Sequence, residues 1–267
     1  MAVKIKDVSY KNLLTNSNIE FEKGKITSIV GKSGSGKTTI FDLIFGQQLN
    51  FEGTILLGKK ILDKSKKDKQ IREIRKNIFY LKQDYYNQLF NINILEDIKY
   101  QVPNIKEDKL NELLKSFGLD NSILTKHYTE LSYGQIKKIL LIIMFLSNKK
   151  ILLLDDITTD LDFKGKKALI KQLKKIKREE KVIIISSGDT NFLLEIVDKI
   201  IYINNQKLIV EDNKYNFFEN KTILNKCNLE MPKILQFKDV ALKNKKIKLL
   251  YRDNINDLIK DIYRNAK

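Results

Sequence analysis

The feature that most constrains the fold is the segment GKSGSGKTT, Gly31 to Thr39, directly behind the apolar run Ile26–Val30. Its spacing, G-x-x-x-x-G-K-[ST], is filled by Gly31, Gly36, Lys37 and Thr38. A strand leads in and a helical pattern from Thr38 leads out, which is the context such a loop requires. Glycines let the main chain curl around phosphate groups, and the loop amides and the helix N-terminus offer donors to an anion. Lys37 is placed to reach the outer phosphates and Thr38 to ligate magnesium. The whole stretch, Gly31, Lys32, Ser33, Gly34, Ser35, Gly36, Lys37, Thr38 and Thr39, is the expected phosphate-binding segment.

Two further segments fit beside it. ILLLDD, Ile151–Asp156, reads as a buried strand ending in a carboxylate. In a parallel sheet that puts Asp155 at the carboxyl edge, beside the loop, where it can hold magnesium through water. LSYGQ, Leu131–Gln135, opens a long apolar helix. Ser132, the Gly134 amide and Gln135 at a helix start suit a γ-phosphate. Five residues of this kind also describe an ordinary helix cap, but a position about twenty residues ahead of ILLLDD favours the functional reading.

Apolar runs with strand character lie at Lys25–Val30, Asn77–Leu81, Ile151–Leu154, Val182–Ile185 and Lys199–Ile203. Helical patterns fall between them at Thr38–Phe45, Lys106–Phe117, Ser132–Leu146, Lys164–Arg178 and Asn191–Val197. Alternation of this kind predicts a largely parallel sheet with helices on its faces. Val3–Ile5, Ile19–Phe21 and Gly53–Leu57 add an expected antiparallel subsheet, and the Lys-crowded Ile61–Lys76 an expected solvated helix. Past Lys221 two short helices are expected, Pro232–Lys243 and Asn254–Arg264, the second with Ile255, Leu258, Ile259 and Ile262 on one stripe.

Composition narrows the setting. The net charge is +17, from 50 basic and 33 acidic residues, which raises nucleic acid or an anionic membrane as partners. Lys supplies nearly all of it: the arginines are Arg72, Arg75, Arg178, Arg252 and Arg264. Base and phosphate recognition favours the Arg fork, so no nucleic acid is expected and a Lys-rich surface accounts for the charge. Cys227 alone excludes an internal disulfide or a Cys-based zinc site and fits a reducing cytosol. The opening MAVKIKDVSY lacks an apolar signal core, and the longest apolar run, Ile139–Leu146, is far short of a bilayer span. The expectation is a soluble protein reaching a membrane only through a partner.

The ordered set GKSGSGKTT, Gln83, LSYGQ, ILLLDD and TDLD (Thr159–Asp162) resembles the ABC ATPases over residues 3–212. That resemblance implies an α/β P-loop NTPase of ABC type: a mostly parallel sheet, an antiparallel subsheet and a helical signature subdomain at about 84–147. It implies ATP and Mg2+, with ATP held between the P-loop of one subunit and the signature of another. Gln83 is then the Q-loop residue reaching magnesium and the attacking water, and Asp162 the interfacial aspartate. Tyr10 is the available candidate for stacking on adenine. KQDYYNQLFNINILEDIKY, Lys82–Tyr100, and the tail CNLEMPKILQF and RDNINDLIKDI are similar to energy-coupling-factor (ECF) transporter ATPases. That implies an ATPase domain over 1–220 and a helical C-terminal extension over 221–267 that carries a dimer contact. It also implies a second, non-identical ATPase, a membrane coupling subunit docking near residues 83–97 and, indirectly, a substrate-binding membrane subunit. The expected location is the cytoplasmic face of the membrane, and the expected cargo a vitamin or metal ion.

Four positions depart from that family's pattern. Asp156 stands where Glu places the attacking water, one methylene short, and a displacement of ~1 Å in a catalytic group can cost on the order of 100-fold. Gly188 stands at the switch-histidine position, Tyr133 where Gly is usual and Ile157 where Pro is usual. The sole histidine, His127, is given no role. Intact binding residues beside altered cleavage residues predict slow turnover at this chain's own site. Two other readings stay open: a soluble ATPase acting on nucleic acid or ribosomes, and a nucleotide-gated interaction module without turnover.

Overall fold

The computed structural model describes residues 2–245 and Lys260. The chain opens with β1 (Val3–Tyr10), β2 (Leu14–Phe21) and β3 (Ile26–Val30), then α1 (Lys37–Phe45), β4 (Glu52–Leu57), β5 (Lys60–Leu62), α2 (Asp68–Arg75) and β6 (Ile78–Leu81). There follow α3 (Ile94–Gln101), α4 (Glu107–Phe117), α5 (Tyr133–Leu146), β7 (Ile151–Leu154), α6 (Phe163–Lys177), β8 (Val182–Ile185) and α7 (Thr190–Ile196). The described chain ends with β9 (Lys199–Asn204), β10 (Lys207–Glu211), α8 (Lys214–Glu219), α9 (Lys221–Cys227) and α10 (Lys233–Lys245).

Two sheets result. The first is antiparallel, in the order β2-β1-β4-β5. The second runs β10-β9-β3-β8-β7-β6 and is parallel except for the β9–β10 hairpin. That hairpin closes through Asn205 and Gln206, both at positive φ (47° and 63°), the geometry that matches strand twist in a two-residue turn.

The central strands are apolar along their whole length because both faces are covered. Alternate residues separate cleanly. Leu152, Leu154, Ile183 and Ile185 face the core shared with α5 and α6, while Ile151, Leu153, Val182 and Ile184 face the core shared with α1 and the antiparallel sheet. Helix α5 is apolar nearly all round and is buried accordingly.

Two expectations need adjustment, and a third falls outside the described residues. Ile61–Lys76 is not one helix: β5 pairs Ile61 with Leu56 across a turn at Gly58, and α2 begins only at Asp68. The described chain past 220 is not detached from the core, since Leu224, Cys227 and Leu235 join the cluster of α5, β7 and α7. The expected helix at Asn254–Arg264, with its stripe Ile255, Leu258, Ile259 and Ile262, lies outside the described residues apart from Lys260.

Candidate nucleotide site

The loop after β3 turns through Gly34 and Gly36, at φ +74° and +98°, where a side chain would be strained. Gly31 is tight for another reason: a Cβ there would meet Ser35 Oγ at 2.6 Å. Helix α1 starts at Lys37 with Gly36 as its cap and no side chain on the first-turn amides, which leaves those donors available to an anion. Lys37 Nζ donates to the carbonyls of Gly31 and Lys32, at 2.8 Å each, so the loop holds its own cation ready. Burial pulls the Lys37 ammonium below its usual pKa, against the opposing pull of Asp155 and Asp156.

Asp155 is buried at the carboxyl end of β7 and accepts from Thr38 Oγ1 at 2.5 Å. Its other oxygen accepts from Ser186 Oγ, and that hydroxyl accepts from the Asp156 amide at 2.7 Å. Ser186, which sequence reasoning did not single out, therefore ties β8 to the carboxylate of β7. Its signal is the same edge rule: the first polar residue after an apolar parallel strand.

A cleft of ≈ 460 Å³ opens here. Gly31, Ser33, Gly34, Gly36, Lys37, Thr38 and Thr39 line it, together with Gln83, Asp155, Asp156, Ser186, Ser187 and Gly188. Lys32 and Ser35 belong to the loop but not to the lining; Lys32 contributes the carbonyl that holds Lys37. Gln83 is exposed at the cleft, on a segment fixed by Gln88, which accepts from the Lys82 amide and donates to the Tyr80 carbonyl. Tyr10 does not line the cleft. Its ring is buried against the antiparallel sheet, so it offers no stacking surface; Leu13, three residues on, lies at the cleft instead.

Asp156 sits at φ +49°, and its carboxylate accepts from Thr159 Oγ1 at 2.7 Å. Gly188 is open: a Cβ there would meet nothing within 4 Å. The neighbouring Ser187 hydroxyl is engaged with Thr158 at 2.6 Å.

Ser132, Gly134 and Gln135 lie outside the cleft. Ser132 caps α5 in a reciprocal box with Gln135: the Gln135 amide donates to Ser132 Oγ at 3.3 Å, and Gln135 Oε1 accepts from the Ser132 amide at 2.9 Å. A Cβ on Gly134 would meet the Asp160 carbonyl at 2.6 Å, so only glycine lets the loop after β7 pass this close. Tyr85 locks the same junction, its hydroxyl donating to Asp160 Oδ2 (2.7 Å) and reaching the Tyr133 carbonyl (3.2 Å). Lys137 is buried behind it, donating to the Asp156 carbonyl at 2.6 Å with its ammonium 4.8 Å from the Tyr85 ring centre. Asp162 caps α6 by accepting from the Gly165 amide at 2.6 Å and pairs with Lys138 at 2.9 Å; the Lys138 hydrogen bond leads the lowering of its pKa. His127 caps the short turn Tyr128–Glu130.

The stretch 83–97 is less of a surface than its sequence suggests. Tyr85, Leu89 and Asp97 are buried. Asp97 accepts from the amides of Phe90 and Asn91 and from the Asn91 side chain, so it shapes a turn. Asp84, Phe90 and Glu96 are exposed, joined by Ile92 and Tyr100, the latter edge-on to Phe90 at 5.3 Å.

The pattern of the ABC transporter family matches residues 14–159, from β2 through the loop after β7. The chain belongs to the ABC transporter family. Among curated ABC relatives, the energy-coupling factor transporter ATP-binding protein EcfA2 of Mycoplasma capricolum is 31% identical over 248 residues, covering 90% of this chain and 86% of that protein. EcfA2 of Staphylococcus epidermidis is 28% identical over 238 residues, covering 86% and 83%. Among solved ABC structures, cbiO1 of Clostridium perfringens, described as part of the ABC transporter complex cbiONQ, superposes with a TM-score of 0.69 at 27% identity, over 89% of this chain and 98% of that one. As an ABC ATPase the chain binds ATP, in a family that couples ATP hydrolysis to transport. Among the described residues no helix is long and apolar enough to cross a membrane.

Proposed function

We propose that this chain is the ATP-binding subunit of an ECF-type importer for a vitamin or metal ion, peripheral on the cytoplasmic face of the membrane and paired with a second, non-identical ATPase. The observation that carries the pairing is the separation of two half-sites: the loop Gly31–Thr39 lines the cleft, and Ser132, Gly134 and Gln135 lie elsewhere on the same chain. A nucleotide on the loop then needs the signature of another subunit to close over its γ-phosphate. The names of the curated relatives support the energy-coupling-factor transporter class.

Lys37 neutralises the outer phosphates once they displace the carbonyls of Gly31 and Lys32 from its ammonium. Magnesium, a hard cation that prefers oxygen donors, suits the Thr38 hydroxyl, the Asp155 carboxylate and the Gln83 amide oxygen, which meet at one cleft. When bound it offsets phosphate charge. Asp156 orients the attacking water, weakly, because its carboxylate is turned to Thr159 and Gly188 brings no side chain to the γ-phosphate. Asp162 and the loop around it face the partner ATPase.

Titration calorimetry of the full chain with magnesium-ATP tests the assignment. Lys37→Ala should weaken binding at least tenfold, since a phosphate charge loses a charged partner. Equal affinity in the two proteins would count decisively against it. Single-turnover hydrolysis with and without the partner ATPase separates a slow enzyme from a module without turnover.

A further inference from the structure

The cleft has two chemically different ends. Gly31 to Thr39, Asp155, Asp156 and Gln83 supply amides, charge and hydroxyls. The remaining wall is uncharged: Leu13 from the β1–β2 turn, and Cys227, Asn228 and Leu229 from the end of α9. Leu13 carbons lie within 3.6–3.9 Å of where a Gly36 Cβ would sit, so this wall adjoins the loop directly. Cys227 is close enough to Lys37 and Lys32 for both to pull its thiol pKa down, although burial pushes it up overall.

The α9 wall is held firmly. Leu224 and Cys227 are buried in the core. Asn228 adopts the left-handed conformation (φ +55°), its amide donating to Asn225 at 3.2 Å, and the Leu229 amide returns to the Leu224 carbonyl at 3.0 Å. That closure leaves the Asn228 side chain exposed and puts Leu229, half-buried, at the cleft. No aromatic side chain lines the cleft among the described residues, and Tyr10 is buried elsewhere.

We infer that Leu13 and the turn Asn228–Leu229 form the nucleobase end of the nucleotide cleft, with aliphatic contact in place of aromatic stacking and the Asn228 amide reading the base edge. The inference rests on the assignment of the phosphates to Gly31–Thr39. A flat, largely apolar base suits Leu13 and Leu229, and the phosphate-binding atoms already occupy the polar end. An Asn amide carries a donor and an acceptor side by side. It matches the neighbouring N6 donor and N7 acceptor of adenine, whereas guanine presents two acceptors there. The chain should therefore prefer ATP to GTP, and the residue that sets the preference lies beyond the P-loop region, in the C-terminal segment.

The test is calorimetry of the full chain with magnesium-ATP, magnesium-GTP and inorganic tripolyphosphate. Leu13→Ala and Leu229→Ala should each weaken ATP by about tenfold, the loss expected for an apolar contact on a ligand, and leave tripolyphosphate unchanged. Asn228→Gly, which keeps the left-handed turn, should lower the ATP-to-GTP preference by about tenfold. Lys37→Ala should weaken all three ligands. Lys37 dependence with no change at positions 13, 228 and 229 overturns the base end alone. If Lys37→Ala leaves ATP and tripolyphosphate binding unchanged, the phosphate assignment falls and the base end falls with it.

Discussion

At the scale of single residues, charge is held where the chemistry needs it. Asp155 is satisfied by Thr38 and Ser186, so its carboxylate is fixed before any nucleotide arrives. Asp156 and Gly188 are the cleavage positions of the proposed function, and the space around Gly188 is empty enough for a larger side chain. Asp156→Glu combined with Gly188→His should raise single-turnover ATP hydrolysis at this site, by up to ~100-fold if misplacement of the carboxylate limits the rate. A wild-type chain that already turns over at ~10 per second, an ordinary enzyme rate, would show that these positions impose no handicap. Lys137 supplies a pH dependence. Burial holds its ammonium pKa below 10.5, against the pull of Asp156, Asp160 and Asp155. The folded state therefore binds its proton less tightly than the unfolded chain does. The cost of burying the charge is full below the folded pKa and is relieved as pH rises from there toward 10.5. Urea unfolding from pH 7 to pH 10 should show wild type gaining stability relative to Lys137→Met, and a constant difference would rule out a depressed Lys137.

At the scale of elements, the sheet edge gathers what the chain spreads out. β3, β7 and β8 deliver the P-loop, Asp155 and Ser186 to adjoining carboxyl ends because the three strands are neighbours in one parallel sheet. The loop after β7 carries Asp156 and Asp160 and meets α5 at Gly134 and Lys137 and the segment after β6 at Tyr85. The Tyr85 segment, the start of α5 and the loop after β7 are thus in physical contact. α9 and the start of α10 belong to this body as well. Leu224, Cys227 and Leu235 are buried, and each buried leucine contributes about 1.5–3 kcal/mol. A chain cut to residues 1–220 should therefore lose several kcal/mol, whereas a chain ending at Lys245 should keep its melting temperature and its ATP affinity. The shorter cut surviving unchanged in a thermal melt would remove α9 from the core. Pairing of the chain ending at Lys245 with its partner ATPase, as tight as for the full chain, would take the dimer contact away from residues 246–267.

At the scale of the whole molecule, the membrane subunit of the proposed function needs one docking surface. Burial of Asp97, Tyr85 and Leu89 reduces the candidate face to Asp84, Phe90, Ile92, Glu96 and Tyr100. Exposed aromatics beside acids are what a specific contact needs, and acids pairing with basic side chains across it fix register more than affinity. Asp84→Lys with Glu96→Lys should sharply reduce recovery of the membrane subunit in a detergent pull-down while leaving ATP affinity unaltered. Full recovery would rule this face out. The net charge of +17 is the other whole-molecule property. It would favour the nucleic-acid reading only if purified protein bound RNA with the steep salt dependence of phosphate contacts.

The sequence alone determined the loop between β3 and α1, the largely parallel sheet around it and the family. These rest on local signals: a loop spacing that only glycines allow, and apolar runs long enough for strands buried on both faces. Gln83 and Asp155 both line the cleft, because a strand end in a parallel sheet has one edge to go to. The tertiary structure decided what depends on contacts between distant segments. Tyr10 reads as a candidate for stacking on adenine and is core; Asp97 reads as a docking acid and holds a turn together. Ser186 has only the strand-end signal, and Lys137, Tyr85 and the Leu13–Leu229 wall carry no local pattern. Their partners lie up to about two hundred residues away in the chain, and only the packing of β8, α5 and α9 against the sheet brings them to the site.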